Sequence, residues 1–208
     1  MLWCWRPLLL MMLRHDPIVE TRTLRWPDEA ACERFAQQLA QELATQLPTQ
    51  LAPHLAPHLA QLLEHNPAHK PAHNPADAAL GNAFITLHGP LGAGKTTFVR
   101  HLLRALGVAG RIKSPTYAVL EPHWAGALSI SHFDFYRFDD PREWADAGLR
   151  DVFAAPGLKL AEWPEKAAGA LPEADLALHI EPHEDGSRSI RAEAQTALGR
   201  ALLMRVSC

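Results

Sequence analysis

The sequence has few cysteines and no excess of basic residues. Its three cysteines, Cys4, Cys32 and Cys208, lie far apart without a C-x-x-C pair, so neither a disulfide framework nor a zinc site is indicated. The net charge of −3 argues against a protein that grips nucleic acid with a broad basic surface, because such binding needs clustered lysine and arginine. We therefore expect a reducing, cytoplasmic location, and any connection with RNA is expected to run through a partner.

Long apolar runs are also missing. Residues 1–13 are apolar apart from Arg6 and Pro7, but no small-residue cleavage site follows them. The stretch is also much shorter than the roughly 20 residues that a membrane-spanning helix needs. We expect residues 1–20 to form an extension without fixed structure, and we expect no membrane anchor.

The length of 208 residues leaves room for one α/β domain, over residues 21–208, but not for a second catalytic domain. A low-complexity insert rich in histidine, proline and alanine interrupts this domain at about residues 46–79. Prolines that recur every four residues there exclude a continuous helix or a central strand. The insert also carries regularly spaced histidines, at His54, His58, His65, His69 and His73. They have the spacing of a transition-metal site, but repeat slippage in a tolerated surface loop is the simpler interpretation.

Against these absences stands one complete motif, Gly-Pro-Leu-Gly-Ala-Gly-Lys-Thr-Thr at residues 89–97. It matches the phosphate-binding loop G-x-x-x-x-G-K-[ST], in which backbone N–H groups form an anion nest. We expect Lys95 to reach the β- and γ-phosphates of a nucleotide and the Thr96 hydroxyl to ligate Mg²⁺. The nucleotide-binding residues predicted in this loop are Gly89, Gly92, Ala93, Gly94, Lys95, Thr96 and Thr97.

The segments on either side of the loop support the match. Residues 83–88 form a short apolar run with β-branched and aromatic side chains, as a buried parallel strand requires. After the loop, apolar residues from Phe98 to Leu106 fall at helical spacing, and Gly107 stands where a helix C-cap glycine belongs. A phosphate-binding loop between a strand and a helix is the arrangement that the motif needs.

Periodicity and turn residues predict the remaining elements. Helices are predicted over residues 28–47, 140–144 and 196–204, and strands over 117–120, 128–133, 157–161, 175–180 and 189–193. The first two of these strands are expected to form a hairpin, as are the last two, around Asp185-Gly186. The predicted fold class is α/β, a P-loop NTPase-like three-layer sandwich whose mixed sheet is parallel near the loop and antiparallel at its margins.

Two acids end apolar strands and are candidates to complete the site. Asp134 follows the strand at 128–133, and Glu162 follows the strand at 157–161. Because α/β sheets bind ligands at the carboxyl ends of their strands, both acids are placed for catalysis or metal binding. From the residues alone, a solvated turn or a helix cap explains either acid equally well.

Ser114 and Thr116 lie in the loop after the P-loop helix, where P-loop proteins carry segments that sense the γ-phosphate. The alternative is a plain proline-containing turn. His132 is a candidate base, although a paired strand histidine is the favoured interpretation.

Four segments, GPLGAGKTTFVR, IKSPTYAVLEP, HFDFYR and LAEWPEKA, occur in this order. Together they resemble the TsaE (YjeE) family, the small ATPase of bacterial tRNA N6-threonylcarbamoyladenosine biosynthesis. The likeness extends from about Leu24 to Leu203, outside the insert. It implies a cytoplasmic Mg²⁺-dependent ATPase, weak alone, that acts with the TsaB–TsaD complex and meets tRNA only through it.

The resemblance also implies roles for individual residues. Lys95 and Thr96 are matched to the phosphates and Mg²⁺, and Glu162 to a metal ligand and catalytic acid. Asp134 matches the aspartate of the HFDxYR motif. The nucleotide-binding set gains Trp163, from the glutamate-tryptophan pair, and Ser114 and Thr116, from the switch-like SPT element. The segment Pro27-Asp28-Glu29 is matched to a place near the adenine.

Two further functions compete with this one. A P-loop kinase of a small metabolite usually needs an arginine-bearing lid, but the region after Asp134 offers only Arg137, Arg142 and Arg150, which are spread along it. A nucleotide-dependent binding module with little turnover is the third possibility. The guanine-reading motif N-K-x-D is missing, so ATP is expected rather than GTP.

Overall fold

A computed structural model describes residues 20–46, 82–126, 128–139 and 148–206. The predicted N-terminal extension up to residue 19, residues 47–81 of the insert region and the predicted helix at 140–144 lie outside the described residues.

The described ranges contain a seven-stranded sheet and four α-helices. The strands are β1 (Glu20–Trp26), β2 (Asn82–His88), β3 (Leu120–Ala125), β4 (Leu128–Asp134), β5 (Gly157–Glu162), β6 (Leu176–Pro182) and β7 (Arg188–Ala194). The helices are α1 (Glu29–Gln46), α2 (Lys95–Ala105), α3 (Leu149–Ala154) and α4 (Ala197–Met204), with a short 3-10 helix at Pro164–Ala167.

The strand order is β1-β7-β6-β2-β5-β4-β3. The central strand β2 runs parallel to β5 and β6, and β4 runs parallel to β5. The pairs β1–β7, β6–β7 and β3–β4 are antiparallel. The sheet is therefore mixed, parallel in the centre and antiparallel at both margins, as predicted.

The larger core lies on the face of the sheet that α1, α2 and α4 cover. Trp26, Phe35 and Phe98 form an aromatic trio there, with ring centroids 5.4 to 5.9 Å apart. The opposite face carries a smaller aromatic cluster around Phe84 and Phe133, against α3 and the 3-10 helix. The two apolar faces make three layers, and the sandwich prediction is confirmed.

Local signals fix several ends of elements. Asp28 caps α1 by accepting a hydrogen bond from the Ala31 N–H at 2.8 Å, and Thr196 caps α4 through the Gly199 N–H at 3.2 Å. Gly107 follows α2 with φ 95°, which suits a glycine after the end of a helix.

The predicted strand at 117–120 is wrong. Residues 116–119 form a turn instead, and the strand starts at Leu120. The Val119 N–H donates to the Pro115 carbonyl at 2.6 Å, and Val119 has φ 65°, a conformation that β-branched residues rarely adopt. The strand therefore includes Pro122, which is tolerated because β3 lies at the edge of the sheet.

Sequence patterns also missed β1, α3 and the short 3-10 helix at Pro164–Ala167. The strand β1 carries polar and half-buried side chains along most of its length, so apolar alternation does not mark it. The helix α3 is only six residues long, which is too short for a periodic signal. Among the described residues, no helix is long and apolar enough to cross a membrane.

Candidate nucleotide-binding site

The P-loop connects the carboxyl end of β2 to the first turn of α2. Gly89 has φ 136°, and a Cβ there would come within 2.3 Å of the Ile180 carbonyl oxygen, so only glycine fits. Gly94 precedes α2 with φ 106°, which is again a left-handed conformation. The unpaired N–H groups of the first helical turn lie directly after it, as in an anion-binding helix N-terminus.

Lys95 is buried at the start of α2. Its ammonium group donates to the carbonyls of Gly89 and Pro90 at 2.6 and 2.9 Å and lies 3.7 Å from the centroid of the Trp163 ring. Burial lowers the pKa of Lys95, while the carboxylates of Glu162, Glu165 and Asp134 oppose that shift. The charge is held at the loop by fixed carbonyl dipoles and an aromatic face.

Thr96 and Glu162 meet beside this lysine. The Thr96 hydroxyl donates to Glu162 Oε2 at 2.9 Å. Glu162 ends β5 and is 2% exposed, and its register partner on β2 is Leu87, two residues before the P-loop. The parallel pairing therefore brings a carboxylate to the first turn of the P-loop helix.

Asp134 lies next to Glu162 in the register of β4 and β5, but it has different partners. Its Oδ2 accepts hydrogen bonds from the Ser114 and Thr116 hydroxyls, both at 2.6 Å. Its Oδ1 accepts the Tyr136 N–H at 3.0 Å. Asp134 thus ties the 114–116 loop to the end of β4.

Trp163 closes this end of the sheet. It has φ 58°, a strained conformation for a non-glycine residue and one that clusters at functional sites. Its N–H donates to the Leu87 carbonyl at 3.2 Å, and its ring packs against Tyr136 with centroids 5.0 Å apart. The strain turns the indole over the Lys95 ammonium.

The predicted residues come together. All of them except Gly89 line a single cleft, and Gly89 turns the chain beneath it. The lining residues predicted from sequence are Gly92, Ala93, Gly94, Lys95, Thr96, Thr97, Ser114, Thr116, Asp134, Glu162 and Trp163.

Sequence reasoning missed Arg188. It starts β7, and its side chain donates to the Ala93 carbonyl of the P-loop at 3.3 Å and to the Gly186 carbonyl at 2.6 Å. The β6–β7 hairpin thereby brings a guanidinium to the P-loop from a part of the chain outside the region of Arg137, Arg142 and Arg150. No local pattern marks it, because the contact depends on the sheet order.

His132 is the paired strand histidine that the sequence analysis favoured, and its partner is Glu162. Its ring lies in the core, and Nε2 is 2.9 Å from Glu162 Oε1. A histidine two residues before Asp134 on the same strand was the available signal, since alternate residues share one face.

A second pocket opens beside the P-loop, near the start of α1. Its lining includes Trp26, Asp28, Glu29 and Arg188. The indole Nε1 of Trp26 is buried without a hydrogen-bond partner among the described residues. Cys32 also lines the pocket, and burial raises the pKa of its thiol to about 12, so this thiol stays protonated and unreactive at neutral pH.

Two histidines stack below the P-loop. His88, which precedes Gly89, and His179 have ring centroids 4.4 Å apart. The pKa of His179 is lowered to about 4 by burial and by the positive charges of His88 and Arg191. For Glu165, burial works to raise the pKa, but its hydrogen bond with His88 and the charges of His88 and Lys95 lower it below its ordinary value. Glu165 is therefore an ionised carboxylate at neutral pH, and His179 is neutral.

The geometry and the sequence lead to one family. The model for the family described as threonylcarbamoyl adenosine biosynthesis protein TsaE matches residues 26–190, which span the cleft, the second pocket and Arg188. The chain belongs to the TsaE family. The resemblance inferred from the four sequence segments is thereby confirmed.

Similarity to individual proteins supports the assignment to the TsaE family. The tRNA threonylcarbamoyladenosine biosynthesis protein TsaE of Haemophilus influenzae is 43% identical over 123 residues, which cover 59% of this chain and 77% of that protein. The protein of the same name from Bacillus subtilis is 37% identical over 106 residues, covering 51% of this chain and 66% of that protein. The crystal structure of YdiB from Bacillus subtilis has a TM-score of 0.62 at 21% identity, over 92% of this chain and 97% of YdiB. That likeness shows the P-loop NTPase-like fold, and the TsaE family places the chain in tRNA threonylcarbamoyladenosine biosynthesis.

Proposed function

We propose that this TsaE-family chain is a Mg²⁺-dependent ATPase that serves threonylcarbamoyladenosine formation on tRNA together with TsaB and TsaD. The contact between the Thr96 hydroxyl and Glu162 Oε2, 2.9 Å apart beside Lys95, is the observation that carries this proposal. A phosphate-binding loop alone explains nucleotide binding, whereas a carboxylate at its threonine supplies what hydrolysis needs in addition.

The residues present fit Mg²⁺. A threonine hydroxyl and a buried carboxylate are hard oxygen ligands of the kind that Mg²⁺ prefers, and this ion usually takes only one or two carboxylates from the protein. Thr96 and Glu162 would hold the ion. When bound, Mg²⁺ neutralises charge on the β- and γ-phosphates and helps to orient them.

The protein side chains then have distinct tasks. Lys95 exchanges a loop carbonyl for the phosphate oxygens and stabilises the charge that develops on them, while the N–H groups of the loop fix their position. Water bonds to the γ-phosphorus as the bond to the bridging oxygen breaks, which yields ADP and phosphate. Asp134 holds Ser114 and Thr116 toward the cleft, so we assign it the positioning of the loop that senses the γ-phosphate. We assign the binding of Mg²⁺ to Glu162, with Thr96.

The second pocket is the proposed place of the adenine. It adjoins Gly94 and Thr97 of the P-loop, and it combines an indole N–H, a guanidinium and the carboxylates of Asp28 and Glu29. A purine base carries both acceptors and donors on its edges, so this mixture of groups suits it.

The partnership with TsaB and TsaD rests on the family and on charge. A net charge of −3 does not favour binding of tRNA by the chain itself, so contact with tRNA through a partner complex is the consistent arrangement. We infer a cytoplasmic location from the same pathway.

The test is phosphate release from ATP by the purified chain, measured alone and with TsaB and TsaD, with and without tRNA. We expect slow turnover alone, faster turnover with the partners, and no turnover of Lys95→Ala under any condition. GTP should be a poor substrate. Turnover by wild type and Lys95→Ala at the same rate would refute the ATPase assignment, and turnover that never responds to the partners would refute the partnership alone.

A further inference from the structure

His132 is a buried histidine in direct contact with a residue of the proposed site. It lies on β4, between β3 and β5, and it is fully buried. Its Nε2 is 2.9 Å from Glu162 Oε1. Because an ionised carboxylate only accepts hydrogen bonds, this contact requires the hydrogen on Nε2.

The other ring nitrogen has a different environment. Nδ1 of His132 is buried and has no hydrogen-bond partner among the described residues. A buried polar atom without a partner destabilises the fold, so packing alone gives no reason for an imidazole here. The bond to Glu162 is the one polar contact of this ring that the described residues show.

Glu162 is thus held from two sides. His132 binds Oε1 from inside the core, and Thr96 binds Oε2 from the cleft. In the proposed function the Thr96 hydroxyl turns to the metal, which leaves the His132 bond to fix the carboxylate. Replacing a group that fixes a metal-binding carboxylate in this way typically lowers metal affinity or activity by about 10- to 100-fold.

We propose that His132 is a positioning residue whose Nε2–H holds Glu162 Oε1, so that Oε2 stays directed at Thr96 when the Mg²⁺-nucleotide enters the cleft. The inference rests on the proposed function and adds to it a residue that acts through Glu162 rather than on the nucleotide.

His123 provides a matched control. It lies on the neighbouring strand β3, is 8% exposed, and also has a buried ring nitrogen, Nε2, without a partner among the described residues. Its ring centroid is 6.4 Å from that of His132. It shares the burial of His132, and the hydrogen bonds of the described residues include none between it and Glu162, so it separates packing from positioning.

The experiment compares His132→Gln with His132→Asn. The glutamine amide places an N–H near the position of Nε2, whereas the shorter asparagine cannot reach Glu162, and both variants bury one amide. We measure kcat and KM for ATP, and the Mg²⁺ affinity of the ADP-bound protein by titration calorimetry. His132→Gln should keep kcat within about threefold, while His132→Asn should lose about 10- to 100-fold in kcat and in Mg²⁺ affinity, with KM nearly unchanged. His123→Asn should change neither.

Equal values for the glutamine and asparagine variants would overturn the proposal, as would an equal loss in His123→Asn. If His132→Asn does not fold, His132→Gln still decides, because a kcat and Mg²⁺ affinity as low as those of Glu162→Gln would contradict the rescue expected from its N–H. Failure of the proposed function gives a different result, since wild type itself would then release no phosphate from ATP.

Discussion

Two lysines are buried at opposite ends of the parallel strands, and their surroundings differ. Lys95 is 4% exposed at the carboxyl end, and Lys159 is 3% exposed near the amino end of β5. Burial lowers the pKa of both. Both donate hydrogen bonds to backbone carbonyls. Lys159 donates to the carbonyls of Ala155 and Gly157, the latter at 3.2 Å, and to the Asn82 side chain at 3.3 Å.

The difference lies in the acids. Glu162, Glu165 and Asp134 act electrostatically on Lys95, and Lys95 lines the cleft. For Lys159, burial is the sole cause of the pKa shift among the described groups. A buried lysine is therefore not a functional site by itself. The carboxyl ends of the strands form a functional site because carboxylates, a P-loop and an opening meet there.

The largest expected effect is that of Lys95→Ala. Removing the cation that faces the phosphates should lower ATP turnover by on the order of 10³ or more. Phosphate release measures it, and the circular dichroism spectrum controls for folding. Turnover near the wild-type rate in a folded variant would remove the distinction between the two lysines.

Asp134→Asn should have a smaller effect than Lys95→Ala. An amide nitrogen donates hydrogen bonds and accepts none, so the variant cannot accept from Ser114 and Thr116 at one position and from the Tyr136 N–H at the other. Part of these bonds is lost, and the loop is released. We expect kcat to fall by about 10- to 100-fold, because Asp134 positions the 114–116 loop and is not assigned to the phosphates or the metal. Thr116→Val removes only one of the two hydroxyl bonds, so its kcat should lie between that of Asp134→Asn and that of wild type. A larger loss for Thr116→Val than for Asp134→Asn would contradict this order.

Lys159→Met tests the comparison of the two lysines at the amino end of the strands. Without the ammonium, the buried oxygens that it bonds lose a donor, so we expect a loss of about 1–3 kcal/mol in unfolding free energy. Denaturant titration measures this value. The ATP turnover of the folded variant should equal that of wild type, and a drop in turnover like that of Lys95→Ala would show that the amino end also serves the reaction.

The smallest effect concerns pH. Because the folded pKa of His179 is about 4, below the ordinary value, the unfolded chain binds this proton first as pH falls. The stability that neutral His179 contributes is complete above about pH 6.5 and is lost progressively as pH falls from there toward 4. The residue faces His88, Arg191, Glu165 and Glu193.

The side chain of His179 is 30% exposed, so we expect a loss of only about 1 kcal/mol over that range. Thermal unfolding followed from pH 7.5 to 4.5 should show a shallower slope in His179→Gln than in wild type. Identical slopes would mean that His179 titrates normally in the folded protein.

The site was largely predictable because its components are local or follow from strand order. The P-loop is nine consecutive residues, and the strands that precede Asp134 and Glu162 are short apolar runs that the sequence shows directly. Parallel pairing then places the two acids side by side, which is a general property of α/β sheets.

What failed depends on distant contacts. Arg188 reaches Ala93 across 95 positions, and only the order β7-β6-β2 brings it there. The turn at 116–119 overrides the extended propensity of Tyr117 and Val119, because Asp134 fixes Ser114 and Thr116. The role of His132 depends on a diagonal contact between two strands, which strand periodicity alone does not specify.

The central claim is that Glu162 serves hydrolysis while the P-loop serves binding, and Glu162→Gln tests it most directly. The substitution keeps the shape of the side chain and removes its charge. Measured together on the same preparation, ATP affinity should stay within about threefold of wild type, and turnover should fall by on the order of 10² to 10³. Turnover equal to that of wild type, with affinity retained, would contradict the account and leave Glu162 as a structural residue at the end of a strand.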